Sequence, residues 1–161
     1  MTHKYVLCFR SGFLCTTNIL FTFNGSSPVT SIVLNIDQTG IWSLSSDYVM
    51  AFSNIVKSND KVWESSLPSN SERIIINKVS PNICISSDGD HVLTNSFGEA
   101  NIFKLPNVSS TDEENKLEMT LSLSRGETSQ VSSVLWSSGD CIPALCGLTD
   151  GSVKIFTLLS Q

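Results

Sequence analysis

Asp150-Gly151-Ser152-Val153-Lys154-Ile155-Phe156 is the stretch of this 161-residue chain that decides its fold. The Asp-Gly pair supplies the positive φ angles that a tight turn between two strands requires. The four residues after Ser152 form a nearly continuous apolar run, which is typical of a strand covered on both faces. The stretch therefore predicts a hairpin whose second strand lies inside a stack of sheets.

The same order of strands and turns recurs three times along the chain. Each copy has an apolar strand, a polar turn, a second apolar strand and a third strand that ends at an aromatic residue. These aromatics, Phe52, Phe103 and Phe156, lie 51 and 53 residues apart. The three copies occupy residues 29–52, 82–103 and 131–156. Such a period predicts sheet-forming units that each hide their apolar faces against a neighbouring unit.

Two further apolar runs, 61–65 and 117–123, follow the first and second copies and predict a fourth, outer strand in each. No segment has a sustained helical period, whereas runs rich in Val, Ile, Phe and Thr alternate with clusters of Ser, Gly, Asn, Asp and Pro. With 40% hydrophobic and 16% charged residues, the chain can bury a sizeable core. The sequence therefore predicts an all-β fold.

The three copies resemble the blades of the WD-repeat β-propeller family. A blade of that family has an apolar strand ending near Ser, an Asp-Gly turn, a second apolar strand, and then Asp-Gly-x-Val-Lys-Ile-Trp. Residues 150–156 match the last part with Phe156 in place of Trp, and Ser86-Ser87-Asp88-Gly89 matches the turn. The family's Gly-His dipeptide and Trp-Asp ending are absent, so the hydrogen-bonded relay between Asp and His of regular blades is not carried over. The resemblance covers about residues 28–158.

The resemblance implies a partial or open WD-repeat-like β-propeller of about three four-stranded antiparallel blades, plus an N-terminal partial blade. The predicted units are 1–27 as the end of a preceding blade, 28–78 and 79–127 as blades, and 128–161 as a blade that lacks its outer strand.

A closed propeller needs about four to eight blades, so three interpretations remain open. The chain is a fragment or short isoform of a longer propeller, or an open array completed by a partner chain or a second copy. Alternatively, the repeated strands belong to a different sandwich or barrel. In an open array, residues 153–159 would form an exposed apolar edge, which predicts self-association unless another element covers it.

Charge and cysteine content restrict the partners and the compartment. The net charge of −5 and the sequence pI of about 4.8 argue against nucleic acid and against anionic membrane surfaces as partners. The five cysteines are odd in number, and most lie in apolar runs, where free Cys behaves as a small hydrophobe. This pattern favours a reducing compartment and predicts a cytoplasmic or nuclear protein.

Catalytic and metal-binding motifs are missing from the sequence. The only histidines are His3 and His91, and no Ser lies in a Gly-x-Ser-x-Gly elbow. No phosphate-binding loop is present, and no Cys or His residues are paired at zinc-ligand spacing. We therefore expect no enzymatic activity, no cofactor and no metal.

Two features stand out as candidate sites. Trp63 lies among Asn59, Asp60, Lys61 and Glu64, so it can be a partly exposed outer-strand residue and hence an interface hot spot rather than a core residue. Ser109-Ser110-Thr111 precedes Asp112-Glu113-Glu114, which is the spacing acidophilic kinases prefer. The simpler interpretation of that stretch is a solvated loop, and phosphorylation is the alternative.

The predicted function is a non-catalytic scaffold that mediates protein–protein interactions within a multi-subunit complex. The resemblance implies this role, because propellers bind proteins through blade faces and loops, and fold alone does not fix function. One alternative is a substrate-recognition subunit of a ubiquitin ligase, or of a trafficking or chromatin complex. Another is a small β-sandwich or barrel that binds a ligand.

Overall fold

The computed structural model describes residues 7–11, 14–18, 27–54, 61–67, 79–106, 117–123, 129–137 and 143–157. These residues form thirteen strands and one short 3₁₀ helix, Ser96–Gly98. The strands are β1 Leu7–Ser11, β2 Leu14–Asn18, β3 Val29–Leu34, β4 Gly40–Ser45, β5 Val49–Asn54, β6 Lys61–Ser66, β7 Ile83–Ile85, β8 His91–Thr94, β9 Asn101–Lys104, β10 Glu118–Ser122, β11 Val131–Trp136, β12 Pro143–Leu148 and β13 Val153–Thr157. No helix in these ranges is long and apolar enough to cross a membrane.

Within each sheet, every strand pairs antiparallel with the strand next to it in the chain. The result is a two-stranded hairpin (β1-β2), a first sheet (β3-β4-β5-β6), a second sheet (β7-β8-β9-β10) and a third sheet (β11-β12-β13). The all-β prediction and the predicted outer strands of the first two sheets, β6 and β10, are confirmed. Three described sheets stacked in series are neither the two layers of a sandwich nor one closed barrel, so the sandwich or barrel interpretation is wrong.

The unit boundaries predicted from the sequence stay predictions. The strand pairing places a sheet in each of the units 28–78, 79–127 and 128–161, but residues 68–78 and 124–128 lie outside the described ranges. The third sheet has three strands among the described residues, and nothing beyond Thr157 is described.

Two apolar cores lie between consecutive sheets. The first core joins the first and second sheets, and its buried members are Trp42, Leu44, Met50, Phe52, Leu67, Ile83, Val92, Phe103 and Leu117. The second core joins the second and third sheets, and its buried members are Leu93, Ala100, Ile102, Val131, Ala144, Cys146 and Leu148. Each large apolar side chain buried in this way contributes about 1.5–3 kcal/mol to stability. The second sheet is therefore covered on both faces.

The repeated aromatics do not occupy equivalent positions, contrary to the sequence alignment. Val92 pairs with Phe103 in the second sheet, and Ile41 pairs with Ser53 at the same place in the first sheet. Phe52 is therefore one residue out of register with Phe103. Because adjacent residues of a strand point to opposite faces, Phe52 faces the following sheet, whereas Phe103 faces the preceding one.

Hydrogen bonds join the innermost strands of neighbouring sheets. The Thr30 hydroxyl donates to the Pro81 carbonyl (2.7 Å), and the Ile83 amide donates to the Ser31 hydroxyl (3.1 Å). The closest contacts between sheets likewise lie at β3, β7, β8 and β11. The sheets therefore meet most closely at their inner strands.

Candidate interaction surfaces

Each of the first two sheets presents a row of apolar side chains to the sheet that follows it. In register order across the strands, the rows are Val33-Trp42-Phe52 in the first sheet and Cys84-Leu93-Ile102 in the second. Trp42, Phe52, Leu93 and Ile102 are each no more than 3% exposed, because the next sheet covers them. The equivalence of the two rows shows that one packing rule builds both interfaces.

The third sheet has the same row on its outward face. Leu135, Leu145 and Ile155 are register partners across β11, β12 and β13. Leu135 is 58% exposed, Ile155 is 66% exposed, and the adjacent Val153 is 67% exposed. No sheet in the described part of the chain covers this row, which we call the open face. Exposed apolar patches of this kind mark interaction sites.

Trp63 lies on the outer strand β6, opposite Phe52. Its side chain is half-buried, and its ring meets Trp42 edge-on with a centroid distance of 5.6 Å. The residue thus extends the first apolar row to the outer edge of the sheet. Its role as an interface hot spot stays a prediction.

The candidate phosphorylation residues Ser109, Ser110 and Thr111 lie outside the described residues. Phosphorylation there stays a prediction.

A groove of about 260 Å³ lies between the first and second sheets, at the ends of β3 and β7. Its lining residues are Asn35, Ile36, Asp37, Trp42, Phe52, Asp88, Gly89, Leu105 and Pro106. Trp42 and Phe52 supply an aromatic floor, and two turns, 35–40 and 86–91, supply the rim. The sequence did not predict this groove, because it depends on contact between turns of different units.

The two turns on the rim have the same conformation. In one, the Asn35 amide donates to the Gly40 carbonyl, and in the other, the Ser86 amide donates to the His91 carbonyl. Asp37 and Asp88 are therefore equivalent residues. The recurrence of Asp at this turn, 51 residues apart, is the sequence signal that could have revealed the rim.

Both rim carboxylates accept hydrogen bonds within their own turns. Oδ1 of Asp37 accepts from the Thr39 amide (2.9 Å) and hydroxyl (2.7 Å), and these bonds lower the pKa of Asp37. The Ser86 hydroxyl and the Asp90 amide lower the pKa of Asp88 in the same way. Hydrogen bonds to the ionised form favour it, so both groups carry negative charge at neutral pH.

A buried polar network joins the second and third sheets. The Asn95 side-chain amide donates to the carbonyls of Ser132 (3.1 Å) and Ser80 (3.3 Å), and its oxygen accepts from the Asn82 amide. Asn95 thus holds three backbone groups from two segments, 80–82 and 132. These bonds fix the orientation of the sheets, because an unpaired buried amide or carbonyl is costly.

The two cysteines with described side chains are structural. Burial raises the pKa of the Cys84 thiol to about 12 and that of the Cys146 thiol to about 11. Both are neutral thiols at pH 7 and hence weak nucleophiles. In the described ranges, no three His, Cys, Asp or Glu side chains come together to hold a metal ion.

Comparison with known proteins bears on this architecture. No family model matches the chain. It is similar to WD repeat-containing protein 91 of Mus musculus, with 33% identity over 145 residues, 83% of this chain and 19% of the relative. The chain belongs to the WD-repeat β-propeller family. Its three sheets are blades, and they span about a fifth of the length of that relative.

Solved propellers have the same fold as this WD-repeat chain. The Myceliophteria thermophila Cps50 (Swd1) β-propeller domain is similar over 96% of this chain and 50% of its own, with a TM-score of 0.71 and 11% identity. The RRP9 WD40 repeats are similar over 98% of this chain and 41% of their own (TM-score 0.61, 16% identity). U3-55K is similar over 84% and 38%, respectively (TM-score 0.61, 18% identity). The three sheets and the hairpin therefore form a partial propeller.

Proposed function

We propose that this protein is a non-catalytic WD-repeat scaffold that mediates protein–protein interactions within a multi-subunit complex. The observation that carries the proposal is the open face of the third blade. Its row repeats the two rows that pack against a following blade, yet Leu135, Val153 and Ile155 are exposed. An apolar surface with this geometry binds another apolar surface.

The expected occupant is a further sheet, either the next blade of a longer propeller or a sheet supplied by another protein chain or a second copy of this one. The open face is three strands wide, and the two internal interfaces are each formed by a sheet packed on a sheet. Such an occupant would extend the arc of blades and bury the row. The open face can bind another surface by excluding water from its apolar side chains, rather than by chemistry on a substrate.

The neutral thiols of Cys84 and Cys146 support a cytoplasmic or nuclear location. Both side chains occupy space in the interface between the second and third blades and form no disulfide. Structural free thiols of this kind persist in reducing compartments.

Site-specific photocross-linking in cells tests the proposal. A benzoylphenylalanine at position 155 is expected to cross-link to a second polypeptide, identified by mass spectrometry. The control carries the same group at position 118, an exposed site on the outer strand β10 of the second blade. Equal labelling from both positions, or no adduct from position 155, would reject the open face as an interaction surface.

A further inference from the structure

We propose that the groove between the first and second blades binds an arginine side chain from a partner protein. The groove lies on a different surface from the open face and depends on the proposed function only in taking a protein segment as its ligand. Three properties support the assignment: a fixed shape, an apolar floor and two carboxylates on the rim.

The shape of the groove is fixed by contact between the two blades. Ile36 lies over Gly89, so close that a Cβ atom on residue 89 would be 2.9 Å from the Ile36 Cδ1 atom. Gly89 also has a φ angle of 80°, which favours glycine. The two turns therefore support one another and hold the rim in place without a ligand.

The floor of the groove is apolar. It consists of Trp42 and Phe52, with Leu105 and Pro106 alongside. Its volume of about 260 Å³ is below the ~300–1,000 Å³ typical of drug-sized ligand sites. The groove thus fits one extended side chain, and that side chain must have an apolar stem.

The rim selects a cation at the end of the stem. Asp37 and Asp88 come from opposite blades, and each is bonded within its turn through Oδ1. In the described part of the chain, the basic group that acts on this pair is His91, beside Asp88, and no Lys or Arg is among the lining residues. The Asn35 side chain also bonds to Asp37, so what the two rim carboxylates offer a ligand is their negative charge.

Arginine satisfies both requirements better than lysine. Its guanidinium presents several donors in a planar fork and can bond to two carboxylates at once. It is also less strongly hydrated than an ammonium group, so it enters a partly apolar groove more readily. The methylene stem would lie along Leu105 and Pro106, above the buried rings of Trp42 and Phe52, with the guanidinium beside Asp37 and Asp88.

Peptide titration tests the assignment. The probe is acetyl-Ala-Arg-Ala-amide, followed by NMR shifts of the Trp42 indole and the Gly89 amide, with an expected dissociation constant of about 1 mM for one side chain. The neutral citrulline peptide is expected to bind at least tenfold more weakly. The variant D37N/D88N keeps the Asx turns, because Asn also forms them, and is expected to lose at least tenfold in affinity.

The matched control is D47N/D150N. It removes the same number of negative charges, but from turns at the other end of the strands. It is expected to bind the arginine peptide like the unmodified protein. Equal loss in both double variants, equal binding of citrulline, or equal binding of the lysine peptide would overturn the proposal. Cross-linking from position 155 is independent of this result, so failure of the groove and failure of the scaffold role are separable.

Discussion

Tyr48 and Phe97 stack across the interface of the first two blades, with ring centroids 4.1 Å apart and an interplanar angle of 25°. Both residues have left-handed backbones, with φ of 62° and 55°. The Tyr48 amide donates to the Ser45 carbonyl (3.0 Å), just as the Gly151 amide donates to the Leu148 carbonyl (3.1 Å) in the third blade. Tyr48 thus stands where another blade has glycine, and the stacked rings offset the backbone strain.

Because the backbone at position 48 is strained, we expect glycine there to be less destabilising than alanine, which is the reverse of the usual order. Tyr48→Ala removes the stack and keeps a Cβ in the left-handed region, so it is expected to cost about 2 kcal/mol. Tyr48→Gly removes the same ring without that strain and is expected to cost about 1 kcal/mol less. Urea denaturation measures both free energies of unfolding. A glycine variant less stable than the alanine variant would show that position 48 is not strained.

Position 40 requires glycine because the Phe52 ring fills the space of a Cβ atom, not because the backbone at position 40 excludes other residues. A Cβ atom at position 40 would lie 2.1 Å from the Phe52 Cζ atom. We expect Gly40→Ala to destabilise the protein by about 1–3 kcal/mol, because the ring must move. Adding Phe52→Leu should recover part of that loss, which is a non-additive pair. The comparison variant is Gly151→Ala, where a Cβ meets no atom within 4 Å and only the φ angle of 87° is strained. If the stability losses of Gly40→Ala and Phe52→Leu simply added in the double variant, the clash would be contradicted.

The apolar rows predict opposite results for one substitution at two equivalent positions. Ile102→Lys places a charge in the interface between the second and third blades and is expected to cost about 4 kcal/mol or more. Ile155→Lys changes the exposed equivalent and is expected to alter stability by no more than about 0.5 kcal/mol. It should also reduce self-association measured by light scattering. Similar destabilisation by both would mean that the open face is already covered.

We expect the Asp150 carboxyl to titrate at unusually low pH. The hydroxyl of Ser129 (2.6 Å) is the main cause that lowers the pKa of Asp150 to about 2, followed by the Ser152 hydroxyl and amide. Because the folded pKa is below the ordinary value, the stabilising contribution of this carboxylate is present near pH 4 and above. It is lost as the pH falls toward 2.

Carbon-detected NMR of the Asp150 carboxyl measures this midpoint directly. Ser129→Ala is expected to raise the pKa toward the ordinary value of 3.8, whereas Ser65→Ala, on the first blade, should leave it unchanged. A midpoint that stays near 2 in Ser129→Ala would assign the shift to the Ser152 bonds instead.

Much of the fold follows from the sequence, because repeated units leave a repeated pattern. The recurring strands, the outer strands β6 and β10, and the glycine turn at Gly151 all depend on residues that are close along the chain. The face of the blade on which Phe52 lies does not follow from the sequence. Both faces of a blade are apolar, so aromatic character does not reveal which face a residue occupies, and a slip of one residue changes it.

The surfaces were less predictable than the strands. Trp63 was placed on an outer strand, but its contact with Trp42 depends on the register between β5 and β6. The groove depends on Ile36 meeting Gly89, two residues that belong to separate repeats. Contacts between repeats leave no local periodicity, so only the assembled blades reveal them.

The close approach of the inner strands gives the assembly the shape of an open fan. Solvent is excluded most completely along the middle strands of the fan, because β4 and β5 are buried over nearly their whole length, whereas β3 has only half-buried and exposed residues. Amide hydrogens along β4, β5, β8 and β9 should therefore exchange most slowly, and those of the outermost strands first. We expect substitutions and insertions to cost least stability at the outer edge of the fan, where the strands and loops are most exposed.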